Sequence, residues 1–197
     1  MSDDLPIRDA ATLVLLRDPA TTPKVLMGQR GTGAAFMPNK FVFPGGRVDD
    51  ADREGDAGFL DPGDMVRLAS DSAVPPQALA TAAVRELREE TGLTLVGAAL
   101  RFFLRAITPP GRPRRFDARF FVCAADGIAG DPDDFSQADG ELRHLGWIGL
   151  DAARDLDLPF VTKVALAELA EIVVDPTAAR PVPFLDNRSA VSRFRAL

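Results

Sequence analysis

The sequence predicts a mixed α/β fold, of the α+β kind, in which helices cover a mixed β-sheet. The 197 residues are 46% hydrophobic and 26% charged, which is ordinary globular usage and fits one domain over residues 1–197. Short apolar runs rich in strand-forming residues occur in both halves of the chain, together with segments of helical periodicity. Because these strands and helices do not alternate regularly, a doubly wound parallel sheet is disfavoured.

Three short strands are predicted in the first part of the chain. Residues 10–16 and 24–30 are apolar runs separated by a segment with two prolines, which indicates a hairpin near the middle of the sheet. A third run, residues 41–43, ends at the Pro-Gly-Gly turn of residues 44–46. The turn therefore follows directly on a predicted strand end.

The clearest helix is predicted over residues 77–91. Pro76 precedes its first turn and Gly92 follows its last, which is the expected asymmetry of helix ends. Ahead of it, residues 47–76 are rich in aspartate and glycine and have weak apolar periodicity. Only a helical turn at residues 65–70 is predicted there.

The second half predicts three more strands and one more helix. The strands cover residues 100–107, 116–124 and 142–148, and an amphipathic helix follows over residues 161–174. These segments complete the elements expected for the sheet and its helical cover.

Composition excludes several classes of partner and site. The net charge of -6 disfavours nucleic acids and membrane surfaces as partners, since both require a basic face. The N-terminus has no basic and apolar leader and no run approaches about 20 apolar residues, so a cytoplasmic protein without a membrane span is expected. Cys123 and His144 are the only residues of their types, so any bound metal must have oxygen ligands. We expect Cys123 to be a buried strand residue, His144 to be structural or exposed, and Trp147 to be part of the core.

Three carboxylates share one side of the predicted helix 77–91. At about 100° per residue, Glu86, Glu89 and Glu90 fall within a face roughly 100° wide. That face borders an apolar stripe made of Ala80, Ala83, Val84 and Leu87. Like charges at these spacings repel, and a divalent cation would remove that cost and create a binding site for phosphate oxygens. A solvated acidic face is the simpler alternative.

The segment Arg85-Glu-Leu-Arg-Glu-Glu-Thr-Gly-Leu93 resembles the second half of the Nudix box at every fixed position. Residues 43–46 resemble the strand end and turn that precede the box, with Gly46 as its first glycine. The likeness covers roughly residues 9–171. It implies an α/β/α sandwich with a mixed β-sheet and a hydrolase dependent on Mg²⁺ or Mn²⁺. Such an enzyme cleaves a diphosphate linkage in a nucleoside diphosphate joined to another moiety.

The resemblance also implies roles for particular residues. Glu86, Glu89 and Glu90 would be metal ligands, together with the carbonyl of Gly46. Glu89, Glu90 and Arg85 would form the catalytic set, with Arg85 orienting a glutamate of the helix. An ordinary surface ion pair is the alternative for Arg85.

Glu141 is similar only in its position to the acidic residue that serves several Nudix enzymes as base or additional metal ligand. A solvated glutamate is the alternative reading. The partner expected from the resemblance is a small nucleotide-like diphosphate, and a homodimer is left open.

One departure from the box concerns its first glutamate. The family has five residues between the first glycine and a glutamate that lies eight positions before the motif arginine, where this chain has Gln77. Residues 47–76 are therefore interpreted as an insertion inside the box, expected near the mouth of the cleft because loop closure cost grows slowly with length.

Interrupted boxes are typical of the branch that cleaves coenzyme A and acyl-coenzyme A. Residues 41–49 and 115–121 resemble segments of that branch, but its upstream signature is not traced between residues 15 and 43. Coenzyme A or an acyl-coenzyme A is the leading substrate, and ADP-ribose, nucleotide sugars and dinucleotides stay open. A non-catalytic Nudix-like nucleotide sensor and an interaction protein with an accidental acidic helix are the other classes considered.

A local concentration of arginine suggests a substrate contact. Six arginines lie between residues 101 and 119, where Asp117 is the only acid. Arginine suits bidentate recognition of phosphate, so Arg115, Arg112 and Arg114 are predicted to bind substrate, with Arg115 preferred at the junction of loop and strand. Several of the six must point to solvent if they alternate along strands.

Overall fold

A nine-stranded mixed sheet forms the centre of the fold in this computed structural model, which describes residues 5–56 and 58–197. The strands are β1 (Ile7–Arg17), β2 (Lys24–Arg30), β3 (Phe41–Val42), β4 (Gly45–Arg47), β5 (Thr94–Leu95), β6 (Arg101–Ile107), β7 (Arg115–Ala124), β8 (Ile128–Ala129), β9 (Leu142–Gly149), β10 (Pro183–Asp186) and β11 (Arg193–Ala196). The helices are α1 (Pro62–Ala69), α2 (Pro76–Thr91), α3 (Leu150–Ala153) and α4 (Phe160–Val174), with 3₁₀ turns at Asp50–Glu54 and Ala125–Gly127.

The order of the strands makes the sheet mixed, as predicted. Along it run β11, β10, β6, β7, β1, β2 and β3, while β4 pairs with β1 and β9 pairs with β2. The pairs β1–β7 and β6–β10 are parallel, and the other pairs in this sheet are antiparallel. Strands β5 and β8 form a separate small ladder. The two longest strands therefore lie side by side at the middle of the sheet.

Helices cover both faces of the sheet. Leu13 and Leu15 of β1 pack with α2 and the end of α1, whereas Val14 and Leu16 point to the opposite face and pack with α3 and α4. Because β1 is buried on both faces, it is a continuous apolar run rather than an alternating one. The predicted α/β/α sandwich is confirmed.

Helix α2 follows from its sequence. Pro76 occupies its first turn, small alanines let it lie close to the sheet, and Gly92 ends it in a left-handed conformation with φ +78. The Gly92 N–H donates to the Arg88 carbonyl at 2.8 Å. Helix α2 begins one residue before the prediction and ends at the predicted residue.

Several elements differ from the prediction. Residues 47–76 contain a full helix, α1, which begins at Pro62 with Asp61 accepting from the Asp64 N–H, rather than a helical turn at 65–70. Strands β10 and β11 lie in a tail for which no strand was predicted. They are four residues each and β10 opens on a proline, so neither has enough alternation to be recognised without its partners.

The single cysteine, tryptophan and histidine of the chain have the burial that the sequence predicts. Cys123 is buried in β7, and burial raises the pKa of its thiol to about 12. Trp147 packs against the α2 side of the core, and its indole N–H donates to the Pro132 carbonyl. His144 is exposed in β9. Across the described ranges, no helix has the length and apolar character required to traverse a bilayer.

Candidate active site

The start of β4 and the last turns of α2 meet at two glutamates. The Gly45 N–H donates to Glu90 Oε2 at 2.8 Å. At Gly46, a Cβ atom would lie 2.3 Å from Glu86 Oε1, so the backbone approaches that carboxylate more closely than any other residue type allows. Strand β4 pairs with β1 and α2 packs on β1, so the sheet holds both elements in place.

Glu90 is almost fully enclosed, with 2% of its surface exposed. Burial raises its pKa to about 8, and the nearby Glu86 and Glu141 carboxylates add to the shift against the opposing Gly45 N–H and Arg30. Burial also raises the pKa of Glu86. The site thus brings carboxyl groups together where burial and mutual repulsion disfavour the charged forms of Glu86 and Glu90.

Arg85 connects the carboxylates of α2 to one another. Its Nη1 donates to Glu86 Oε1 and to Glu89 Oε2, both at 2.9 Å. Its Nη2 donates to the Arg47 carbonyl at 2.8 Å. Arg85 therefore fixes two of the three glutamates relative to the turn that carries Gly46.

Asp52 is a site residue that the sequence analysis missed. It is 2% exposed and accepts from Arg85 Nε at 3.0 Å and Nη2 at 3.1 Å, and these bonds are the main cause of the raised pKa of Arg85. Five residues separate Gly46 from Asp52, which is the family spacing to the glutamate that seemed absent at Gln77. The shorter acid occupies that place, and the extra residues follow Asp52 instead of following Gly46.

Glu141 lies on the same side of the sheet as these carboxylates. It accepts from Arg30 Nη2 at 2.6 Å, keeps about half of its side chain exposed, and is close enough to Glu86 and Glu90 to raise the pKa of both. The loop before it is held by the Asp139 N–H, which donates to the Glu89 carbonyl. Within residues 5–56 and 58–197, no three acidic, cysteine or histidine side chains already converge as a metal cage.

The inserted segment crosses the exposed side of α2, as expected for a position near the cleft. Gly55 lies directly over Thr81, because a Cβ atom there would be 1.9 Å from the Thr81 hydroxyl oxygen. Asp56 and Phe59 then line one groove together with Glu89.

Arg115 holds backbone segments together instead of reaching the carboxylate site. Arg115 is 4% exposed and donates to the carbonyls of Thr108, Asn187 and Arg188. It pairs with Ile7, four residues along β1 from the Ala11 that pairs with Gly46, or about 13 Å. These contacts give Arg115 a structural role and do not support the predicted substrate contact. The other two predicted contacts, Arg112 and Arg114, lie exposed in the same loop.

Comparison with known proteins identifies the family. The sequence profile of the NUDIX domain matches residues 6–169, and the chain belongs to the NUDIX family. Nudix hydrolase 7 of Caenorhabditis elegans is 43% identical over 86 residues, which are 44% of this chain and only 22% of that relative.

Solved structures have the same fold. A NUDIX hydrolase from Alicyclobacillus acidocaldarius has a TM-score of 0.64 and 25% identity, with 86% of this chain and 94% of that one covered. An Ap4A hydrolase from C. elegans in a binary complex has a TM-score of 0.56 at 16% identity, with 85% and 98% covered. At that identity the second likeness concerns the fold alone.

Proposed function

We propose that this protein hydrolyses a diphosphate linkage in a nucleoside diphosphate joined to another moiety. The observation that carries the proposal is the gathering of Glu86, Glu89 and Glu90 around Arg85 and the Gly45–Gly46 turn. A complete set of three carboxylates favours an enzyme over the alternative of a nucleotide sensor, which needs no such set for binding.

The donor set fits a divalent metal ion. Glu86, Glu89, Glu90 and the Gly46 carbonyl offer only oxygen atoms, which suit Mg²⁺ or Mn²⁺, and the missing side chain at Gly46 leaves its backbone open beside Glu86. When bound, such ions neutralise diphosphate oxygens and lower the pKa of water. We expect Arg85, which contacts Glu86 and Glu89, to hold them for this task, and the half-exposed Glu141 to accept a proton from the attacking water.

The identity of the substrate is proposed from the sequence resemblance. Coenzyme A or an acyl-coenzyme A leads, followed by ADP-ribose, nucleotide sugars and dinucleotides. The test is a panel of these compounds with Mg²⁺ or Mn²⁺, in which the products are identified by mass. The proposal expects two phosphate-terminated products from at least one compound, and only when a divalent metal ion is supplied.

Two matched substitutions test the assigned helix. Glu89→Gln and Glu90→Gln should each lower kcat by about a hundredfold or more, because charge that stabilises the transition state is lost. Glu171→Gln, an exposed position on the opposite helix α4, is the control and should leave turnover unchanged. Near-normal kcat in both site variants, with the fold retained, would show that catalysis occurs elsewhere.

A further inference from the structure

A groove of about 840 Å³ runs along the exposed side of α2, beside the carboxylates. The inserted segment contributes Asp56 and Phe59 to one wall, α2 contributes Val84 and Arg88 to the floor, and Glu89 lies where the groove meets the site. Cavities of this size are typical of small-molecule sites.

The wall formed by the inserted segment is fixed before any ligand arrives. The Phe59 carbonyl accepts from the Leu100 N–H at 2.7 Å, and part of the Phe59 ring packs on the α2 side of the core. Asp52 and Gly55 tie the preceding turn to α2 through Arg85 and Thr81. Phe59 thus offers an aromatic surface that loses little conformational entropy on binding.

The charges that line the groove favour an uncharged, planar group. Asp56, Glu89 and Asp139 are acidic, and Arg85 is already paired with three carboxylates, so a further phosphate would be repelled. Arg88 is exposed and has no ion pair or side-chain hydrogen bond to the residues that the structure describes. A guanidinium and a phenyl ring both stack on nucleobases, and carboxylates accept from ribose hydroxyls.

We propose that this groove binds the nucleoside half of the substrate, with its base against Phe59 and Arg88. The inference rests on the proposed diphosphatase function, because Glu89 joins the groove to the carboxylate site. It makes Phe59 and Arg88 specificity-determining residues contributed by the inserted segment and by the outer side of the catalytic helix.

The experiment compares Phe59→Leu and Arg88→Ala with Phe160→Leu and Arg154→Ala, exposed controls on the opposite face of the sheet. Binding of AMP and of ribose 5-phosphate, which lacks the base, is measured by calorimetry with Mg²⁺ present. Kinetics are measured with ADP-ribose, and melting temperatures exclude misfolding.

The Kd for AMP and the KM for ADP-ribose should rise about fivefold or more in both groove variants, since base stacking is lost. Ribose 5-phosphate binding, kcat and both controls should change by less than about twofold.

The outcomes separate this inference from the proposed function. Hydrolysis with unchanged KM and unchanged AMP binding in both groove variants would overturn the groove assignment and leave the function standing. If the wild-type protein cleaves no diphosphate and both groove variants bind AMP more weakly than it does, the groove assignment is supported and the proposed function is overturned. A wild-type protein that does not bind AMP would overturn the groove assignment.

Discussion

The carboxylate of Asp52 contacts the candidate site through Arg85, and it reaches that arginine from outside helix α2. Asp52→Asn keeps the shape of the side chain but removes the charge that holds the guanidinium. We expect kcat to fall about 10- to 100-fold with little change in KM, as is usual for residues that orient metal ligands. Asp52→Glu should restore part of the loss, whereas Asp50→Asn in the same turn is an exposed control. An unchanged kcat for Asp52→Asn would show that Asp52 does not support catalysis through Arg85.

Gly46 is required by its contact with Glu86 rather than by an unusual backbone angle. In Gly46→Ala, the new methyl group would displace the Glu86 carboxylate, so we expect kcat to fall about a hundredfold. Gly33→Ala is the matched control, because no atom lies within 4 Å of the added group there. Steady-state kinetics of both variants decide the matter, and equal rates would contradict the assignment of Glu86.

Sequence reasoning at the residue scale is most specific where one helix or turn contains the whole pattern, and the roles of the glutamates and of Gly46 stay predictions. The three glutamates and Gly46 could be placed because their spacing alone sets their geometry. Asp52 lies at the family spacing from Gly46, with five residues between them, but the spacing counted back from Arg85 leads to Gln77 instead. The role of Arg115 could not be predicted, because alternation shows which residues share a face but not what covers that face.

At the scale of elements, the inserted segment depends on close backbone contact with α2. A methyl group at Gly55 would overlap Thr81, so Gly55→Ala should lower the free energy of unfolding by about 1–3 kcal/mol. The double variant Gly55→Ala with Thr81→Ala should recover part of that loss, because the overlapping hydroxyl and methyl groups are removed. Urea unfolding of the two single variants and the double variant measures the coupling. If the changes in the free energy of unfolding of the two single variants simply add up in the double variant, the segment does not pack on Thr81.

Strands β6 and β7 hold two further arginines of the six-arginine segment, Arg105 and Arg119, for which no substrate contact was singled out. Arg105 and Arg119 are buried, and both contact Asp117, at 2.6 Å and 3.3 Å. Asp117→Asn should therefore cost about 3 kcal/mol of stability, because two buried cations lose their shared partner. Asp133→Asn, which breaks an exposed pair with Arg17, should cost less than about 1 kcal/mol. Equal urea midpoints for these variants would contradict the structural role.

At the scale of the whole molecule, a network of ion pairs between side chains links the inserted segment to the C-terminal hairpin. Arg188 and Arg195 each contact both Asp71 and Asp186. Hydrogen bonds from Arg188 lower the pKa of Asp186 from 3.8 to about 2. A depressed pKa gives stability that is present above 3.8 and is lost as the pH falls towards 2. Asp186→Asn should accordingly flatten the decline of unfolding free energy between pH 4 and pH 2. An unchanged slope in urea titrations at these pH values would contradict this.

The fold class was predictable because long apolar runs and one strongly marked helix dominate the chain. The C-terminal hairpin was not, since Pro183 and four-residue strands give no periodic signal of their own. Its position follows from pairing with β6 and from the arginines that it meets there. Such long-range pairing is not encoded in any local window of the sequence.

The loop that leaves α1 is fixed by groups distant in sequence. Arg105 donates to the carbonyls of Ser70 and Asp71, Arg119 donates to the Ser72 hydroxyl, and Arg188 binds the Asp71 carboxylate. The hairpin that carries Arg188 lies beyond residue 169, where the match to the family profile ends. We therefore predict that homologues keep or lose the inserted segment and the C-terminal hairpin together. A homologue without the inserted segment has no need of the hairpin contacts. An acid at position 71 should therefore occur together with an arginine at position 188.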